Sequence, residues 1–102
     1  MSAPQPVAVM GYGELPGQKN LPGALQVLIA GQSAGGAERD GEAWRAHWMT
    51  PATRDRSSVH ATAEEAVAAV IRSGFARRLG ARKPSKVYWT PQARRRAAGG
   101  AR

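Results

Sequence analysis

Apolar and polar positions alternate most clearly over residues 42–50, Glu-Ala-Trp-Arg-Ala-His-Trp-Met-Thr, where Trp44, Ala46 and Trp48 fall on one side and Arg45 and His47 on the other. A period of two marks a half-buried β-strand. Pro51 ends the run, a polar stretch over 52–55 makes a turn, and Arg56-Ser-Ser-Val-His-Ala61 returns as the second strand of a hairpin. In this reading Val59 and Ala61 join the apolar side, while Arg56, Ser58 and His60 share the polar side. The period then changes. Thr62-Ala-Glu-Glu65 is a capping box, in which the Thr62 hydroxyl accepts from the Glu65 amide and the Glu65 carboxylate reaches back to the amide of Thr62. Val67, Val70 and Ile71 follow at i, i+3 and i+4, so a helix begins at Thr62 with an apolar stripe facing Trp44 and Trp48. It ends at Gly74, with Phe75 folding back on the stripe, or runs on to Leu79, since Ile71, Phe75 and Leu79 keep the i+4 spacing.

Upstream, Ala24-Leu-Gln-Val-Leu-Ile-Ala30 is a short apolar run between Gly23 and Gly31 and reads as a buried strand. Residues 31–41 (GQSAGGAERDG) read as a mobile loop, because their glycines and polar residues bury nothing. The prolines and glycines before residue 24 mark an irregular segment in which only Val7-Ala-Val-Met10 suggests a short strand. Downstream of Gly80 a basic linker leads to Val87-Tyr-Trp89, a further short strand, and Thr90-Pro91 supplies an N-cap and an N1 proline for a helix stopped by Gly99-Gly100. The expected architecture is α+β. A small antiparallel sheet of three to four strands, covered by one helix, occupies residues 24–80, between an irregular N-terminal segment (1–23) and a basic C-terminal arm (81–102).

Charge sharpens the picture. Residues 1–51 hold three basic and four acidic side chains, and residues 52–102 hold twelve and three. From Arg72 to Arg102 there are ten Arg and Lys residues without one Asp or Glu, and Tyr88 and Trp89 lie among them. A one-sign block of this kind is the electrostatic footprint of a polyanion-binding protein. Cysteine is absent, which removes disulfides and thiolate metal sites. The N-terminus has no positively charged leader, and the longest apolar run is too short to span a bilayer, so a cytoplasmic protein that does not enter membranes is expected.

Catalytic chemistry finds little support. Ser58 and His60 can meet on one face of their strand, yet no acid is placed to orient the ring. His47 and His60 lie on the same polar face in this reading, but no carboxylates complete a four-ligand set. Gly11-Tyr-Gly-Glu-Leu-Pro-Gly17 has the wrong spacing for a phosphate loop, and Pro16 removes an amide donor. No enzyme activity, cofactor or metal is expected. The residues expected to meet nucleic acid are Arg45, His47, Arg56, Ser58 and His60 on the hairpin, and Arg77, Arg78, Arg82, Lys83, Lys86, Tyr88, Arg94, Arg95 and Arg96 in the basic third. Tyr88 and Trp89 either stack on bases or, for Trp89, add to the core.

The run GEAWRAHWMTPATRDRSSVHATAEEAVAAVI, residues 41–71, resembles the small arm-site DNA-binding domain of tyrosine-recombinase integrases. The matching positions are Gly41, Trp44, Arg45, Ala46, Arg56, Ser57, Thr62, Glu65 and Ala66. The resemblance implies a twisted sheet, backed by the helix, whose polar face enters the DNA major groove, in a regulator or mobile-element protein. The same hairpin and helix are also similar to the ββα unit of HicB-type antitoxins, which implies a protein partner instead. The functional expectation is therefore a non-catalytic nucleic-acid-binding protein. Duplex DNA is the preferred partner with RNA also open, and the alternative is a protein-interaction module, an antitoxin-like regulator or accessory subunit of a larger assembly docking on an acidic partner.

Overall fold

The computed structural model describes residues 6–49, 55–80 and 86–99. Among these residues six strands and three helices occur in the order β1 (Val7–Gly11), β2 (Ala24–Ile29), β3 (Gln32–Asp40), β4 (Ala43–Met49), β5 (Asp55–His60), α1 (Ala63–Ile71), α2 (Gly74–Arg78), β6 (Val87–Trp89) and α3 (Pro91–Gly99). The strands form one mixed sheet in the order β5-β4-β3-β2-β1-β6. All neighbours are antiparallel except β1 and β6, which run parallel. The α+β class is as expected, but the sheet is larger and carries three helices.

Two of the extra strands, each expected as a short strand, come from segments expected to stay outside the domain. Val7 and Val9 alternate inward along β1, which pairs with β2 on one side and β6 on the other. The C-terminal segment supplies β6 and then α3, whose Ala93 is fully buried against the sheet. Neither 1–23 nor 81–102 is an appendage in its described parts. Short apolar strands such as Val7–Gly11 and Val87–Trp89 gain their hydrogen bonds only from partners far away in sequence, which a local reading undervalues.

The third extra strand, β3, replaces the loop expected over 31–41. Ala30 (φ 52) and Gly31 (φ 84) form a two-residue hairpin turn with both residues in the left-handed region, and Gly41 (φ 65) opens the next. Between those turns the small residues are required by packing. A Cβ on Gly35 would run into the carbonyl oxygen of His47, and one on Gly36 would lie 2.6 Å from the carbonyl oxygen of Leu25. Ala34 is an extra residue in a β-bulge, since Val27 pairs with Gly35 and Leu28 with Ser33.

One face of the sheet is covered by the helices. Leu25, Val27 and Ile29 of β2 meet Val7 and Val9 of β1, Ala37 of β3, Trp44 and Ala46 of β4, and the α1 residues Ala63, Ala66, Val67 and Val70. Those α1 positions recur at i, i+3, i+4 and i+7, a single apolar stripe. Thr62 caps the helix as expected, its Oγ1 accepting from Glu65 N at 3.1 Å, but the Glu65 carboxylate accepts from Ala61 N at 3.3 Å rather than from the Thr62 amide. After Ile71 the chain turns at Arg72, and Ser73 caps the separate short helix α2 through Ala76 N at 3.1 Å. The opposite face is largely open. Over Gln26 it is covered by the loop between β1 and β2, where the amides of Gln18 and Gln26 bond each other and Gln26 Nε2 donates to Gly11 O at 3.0 Å.

Candidate nucleic-acid interface

The β4–β5 hairpin was expected to present five polar side chains on one face. Its register divides them. Trp44 pairs with His60, Ala46 with Ser58 and Trp48 with Arg56, whereas Arg45 pairs with Val59 and His47 with Ser57. Directly opposed residues share a face, so Ser58 and His60 lie on the helix side and Arg45, His47, Ser57 and Val59 on the open side, while the Arg56 side chain lies outside the described ones. The parity of a hairpin is set by how its turn closes, and a slip of one residue exchanges the faces of the whole strand. Because β5 is an outer strand, its helix-side Ser58 and His60 are only half-buried and its open-side Val59 is 53% exposed.

The members of the open face differ in availability. Arg45 Nη2 bonds Asp40 Oδ2 at 2.7 Å, so its charge is partly offset. His47 is exposed and sits against Gly36, where an added Cβ would meet Cε1 at 3.2 Å. It borders a groove of about 700 Å³ that also involves Tyr12, Leu15, Gln26, Leu28 and Gly36. Glu38, on the same face opposite Arg45, adds a negative charge. On the other face Ser58 Oγ and His60 Nε2 are 2.6 Å apart. His47 and His60 point to opposite sides and cannot share a ligand, and among the described residues no three His, Cys, Asp or Glu side chains gather.

The basic third is distributed around the helical layer. Arg72, Arg77 and Arg78 are exposed at the end of α1 and on α2, and Lys86 is exposed just before β6. Tyr88, 59% exposed, pairs with Ala8 on the open face, while Trp89 pairs with Val9 and packs partly into the core. Arg82 and Lys83 lie outside the described residues. The three consecutive arginines of α3 have different fates. Arg94 is exposed and its Nε donates to Trp89 O at 3.2 Å, and Arg95 is exposed.

Arg96 is committed to the fold. Its Nη1 donates to the carbonyl oxygens of Tyr12 (3.1 Å), Leu21 (2.9 Å) and Ala24 (2.8 Å). Its Nη2 donates to Asn20 Oδ1 at 2.8 Å and to Gln92 Oε1 at 3.1 Å. The side chain fits because Gly11 leaves it room; an added Cβ there would lie 2.7 Å from its Cζ. Arg96 therefore closes the β1–β2 loop against α3 and is not available as a phosphate contact. A second lock lies nearby, where Thr90 Oγ1 accepts from Ala93 N at 3.1 Å, capping α3, and donates to Glu14 Oε2 at 2.7 Å.

One further cation stands outside the basic third and the hairpin. Arg39, assigned to a loop, lies on the helix side of β3, paired with Trp44, and its guanidinium carbon stands 5.2 Å from the centroid of that indole. It borders a groove of about 700 Å³ with Gln92, Arg95 and Arg96 of α3. The alternation of Ala37, Arg39 and their neighbours was the available signal, hidden by the glycines before it. Comparison of the chain with family models, with curated proteins and with solved structures finds no match. Among the described residues no helix is long and apolar enough to cross a membrane.

Proposed function

We propose that this protein binds nucleic acid without catalysing a reaction, with duplex DNA as its preferred partner. The observation that carries the reading is the run of ten cations without a carboxylate from Arg72 onward, of which Arg72, Arg78, Lys86, Arg94 and Arg95 are exposed on the folded surface. Phosphate contacts from this set supply affinity, and Arg45, His47 and Tyr88 on the open face are the side chains available for base contacts. If about five cations neutralise phosphates, the log–log salt dependence on a duplex has a slope of roughly −4 to −5. Fluorescence anisotropy with duplex DNA, single-stranded DNA and RNA at several salt concentrations measures it. Absence of binding to all three at low salt would refute the reading.

One observation favours a second reading. The outer strands β5 and β6 carry exposed Val59, Val87 and Tyr88, and Leu21 is exposed on the β1–β2 loop. Exposed apolar side chains on unpaired strand edges suit a protein-interaction module, such as an antitoxin-like regulator or accessory subunit docking on an acidic partner.

A further inference from the structure

We infer that the groove between α3 and the end of β3 is a phosphate-binding site, in which Arg39 and Arg95 grip the backbone of a nucleic-acid strand. This rests on the nucleic-acid reading above and assigns it a location that includes a residue outside the basic third. The groove, about 700 Å³ in volume, is bordered by Arg39, Gln92, Arg95 and Arg96 together with Pro22 and Gly23, and among the described residues no carboxylate lines it. Strand alternation accounts for that. Glu38 and Asp40, the chain neighbours of Arg39, fall on the opposite face of β3, and Asp40 is taken by Arg45.

The three cations of the groove are not equivalent. Arg96 is consumed by internal carbonyls, yet its positive charge remains beside the groove. The Arg39 backbone amide donates to Gly23 O at 2.9 Å, but its guanidinium makes no hydrogen bond or ion pair with any described residue and stands over the Trp44 ring. Trp44 is itself 3% exposed, so the ring is a fixed platform that holds the guanidinium plane while leaving its N–H donors unspent. Arg95, exposed one turn of helix from Gln92, likewise has no protein partner among the described residues. A guanidinium already held in place forms bidentate bonds to a phosphate with little further ordering, and uncompensated like charges crowded together favour an anion between them. The spent third arginine strengthens the field without competing for the ligand.

The test compares the full chain with R39Q/R95Q, R39K/R95K and R72Q/R78Q on a mixed-sequence DNA duplex, with poly-glutamate as a carboxylate probe. R39Q/R95Q is expected to weaken duplex binding at least about tenfold and to flatten the salt slope by about two, the loss of two phosphate contacts. R39K/R95K keeps the charge but loses the fork, so it should restore the slope while leaving affinity below that of the parent chain. R95Q alone, which removes no hydrogen bond or ion pair among the described residues, should lower the slope by about one without a change in melting temperature. Equal losses from R39Q/R95Q and R72Q/R78Q would mean a diffuse field and would overturn the groove while leaving nucleic-acid binding intact. Poly-glutamate binding as tight as DNA and equally sensitive to R39Q/R95Q would replace phosphate by an acidic protein. No duplex binding by the parent chain would remove the functional reading itself.

Discussion

At the scale of single residues, position in the fold separates side chains that composition treats alike. Arg94, Arg95 and Arg96 are consecutive and equally charged, but only Arg96 spans from α3 to three main-chain carbonyls. Replacing it with Ala would take the guanidinium from those carbonyls, each of which also accepts from a backbone amide, and from the Asn20 and Gln92 side chains. Charged hydrogen bonds of this kind contribute about 1.5–3 kcal/mol each, and their effects overlap when one side chain makes them all. Arg96→Ala should therefore cost about 2–4 kcal/mol, read as an early urea midpoint, whereas Arg95→Ala should leave the midpoint unchanged. Equal midpoints for the two variants would show that the Arg96 bonds contribute nothing net. A triple Ala substitution across the cluster confounds unfolding with lost phosphate contacts, so binding is to be tested without Arg96. That division was not legible from the sequence, because the three carbonyls come from residues more than seventy positions away.

At the scale of elements, legibility followed how locally each element is determined. The α1 start was readable because the Thr62 hydroxyl and the Glu65 amide are three residues apart, and Thr90-Pro91 announced α3 in the same way. The β4 strand was readable from its own alternation, but the face shown by β5 depends on the turn between them. Hence Ser58 and His60 fall on the side opposite to the one their own alternation suggests. β3 was lost because Gly35 and Gly36, read as loop residues, are there to let neighbouring backbones approach. That explanation makes a measurable claim. Gly36→Ala forces a Cβ to 2.6 Å from the Leu25 carbonyl, a backbone atom in the middle of the sheet, and should destabilise the domain by about 1–3 kcal/mol. At Gly23 the nearest atom to an added Cβ is Cβ of Arg39 at 3.6 Å, so Gly23→Ala should stay within about 0.5 kcal/mol of the parent. Should denaturant melts of the two variants coincide, the tight β2–β3–β4 spacing is not what fixes glycine at position 36.

At the scale of the whole molecule, the charge asymmetry legible in the sequence has a different structural meaning from the one it suggested. A basic arm outside a core would be dispensable for folding and needed only for binding. Instead β6 closes the sheet against β1, through pairs such as Val9 with Trp89, and α3 lies over β1 and β2. Val7 N donates to Lys86 O at 3.2 Å and Thr90 N to Val9 O at 3.0 Å, so the two ends of the chain hold each other in place. Ending the chain at Gly80 would strip β1 of one partner strand and uncover Val7, Val9 and Leu25, three of the most buried side chains. It would also remove Arg96 from the β1–β2 loop. Domains of this size hold only about 5–15 kcal/mol in total, and the combined loss of a strand pair, the helix over it and the Arg96 bonds is of that order. The shortened chain is therefore expected to lose cooperative thermal unfolding in circular dichroism, not merely its affinity for DNA. A shortened chain that melts sharply near the parent temperature while failing to bind would restore the picture of a separable arm, and would mean that the β1–β6 pairing adds little to the stability of the sheet.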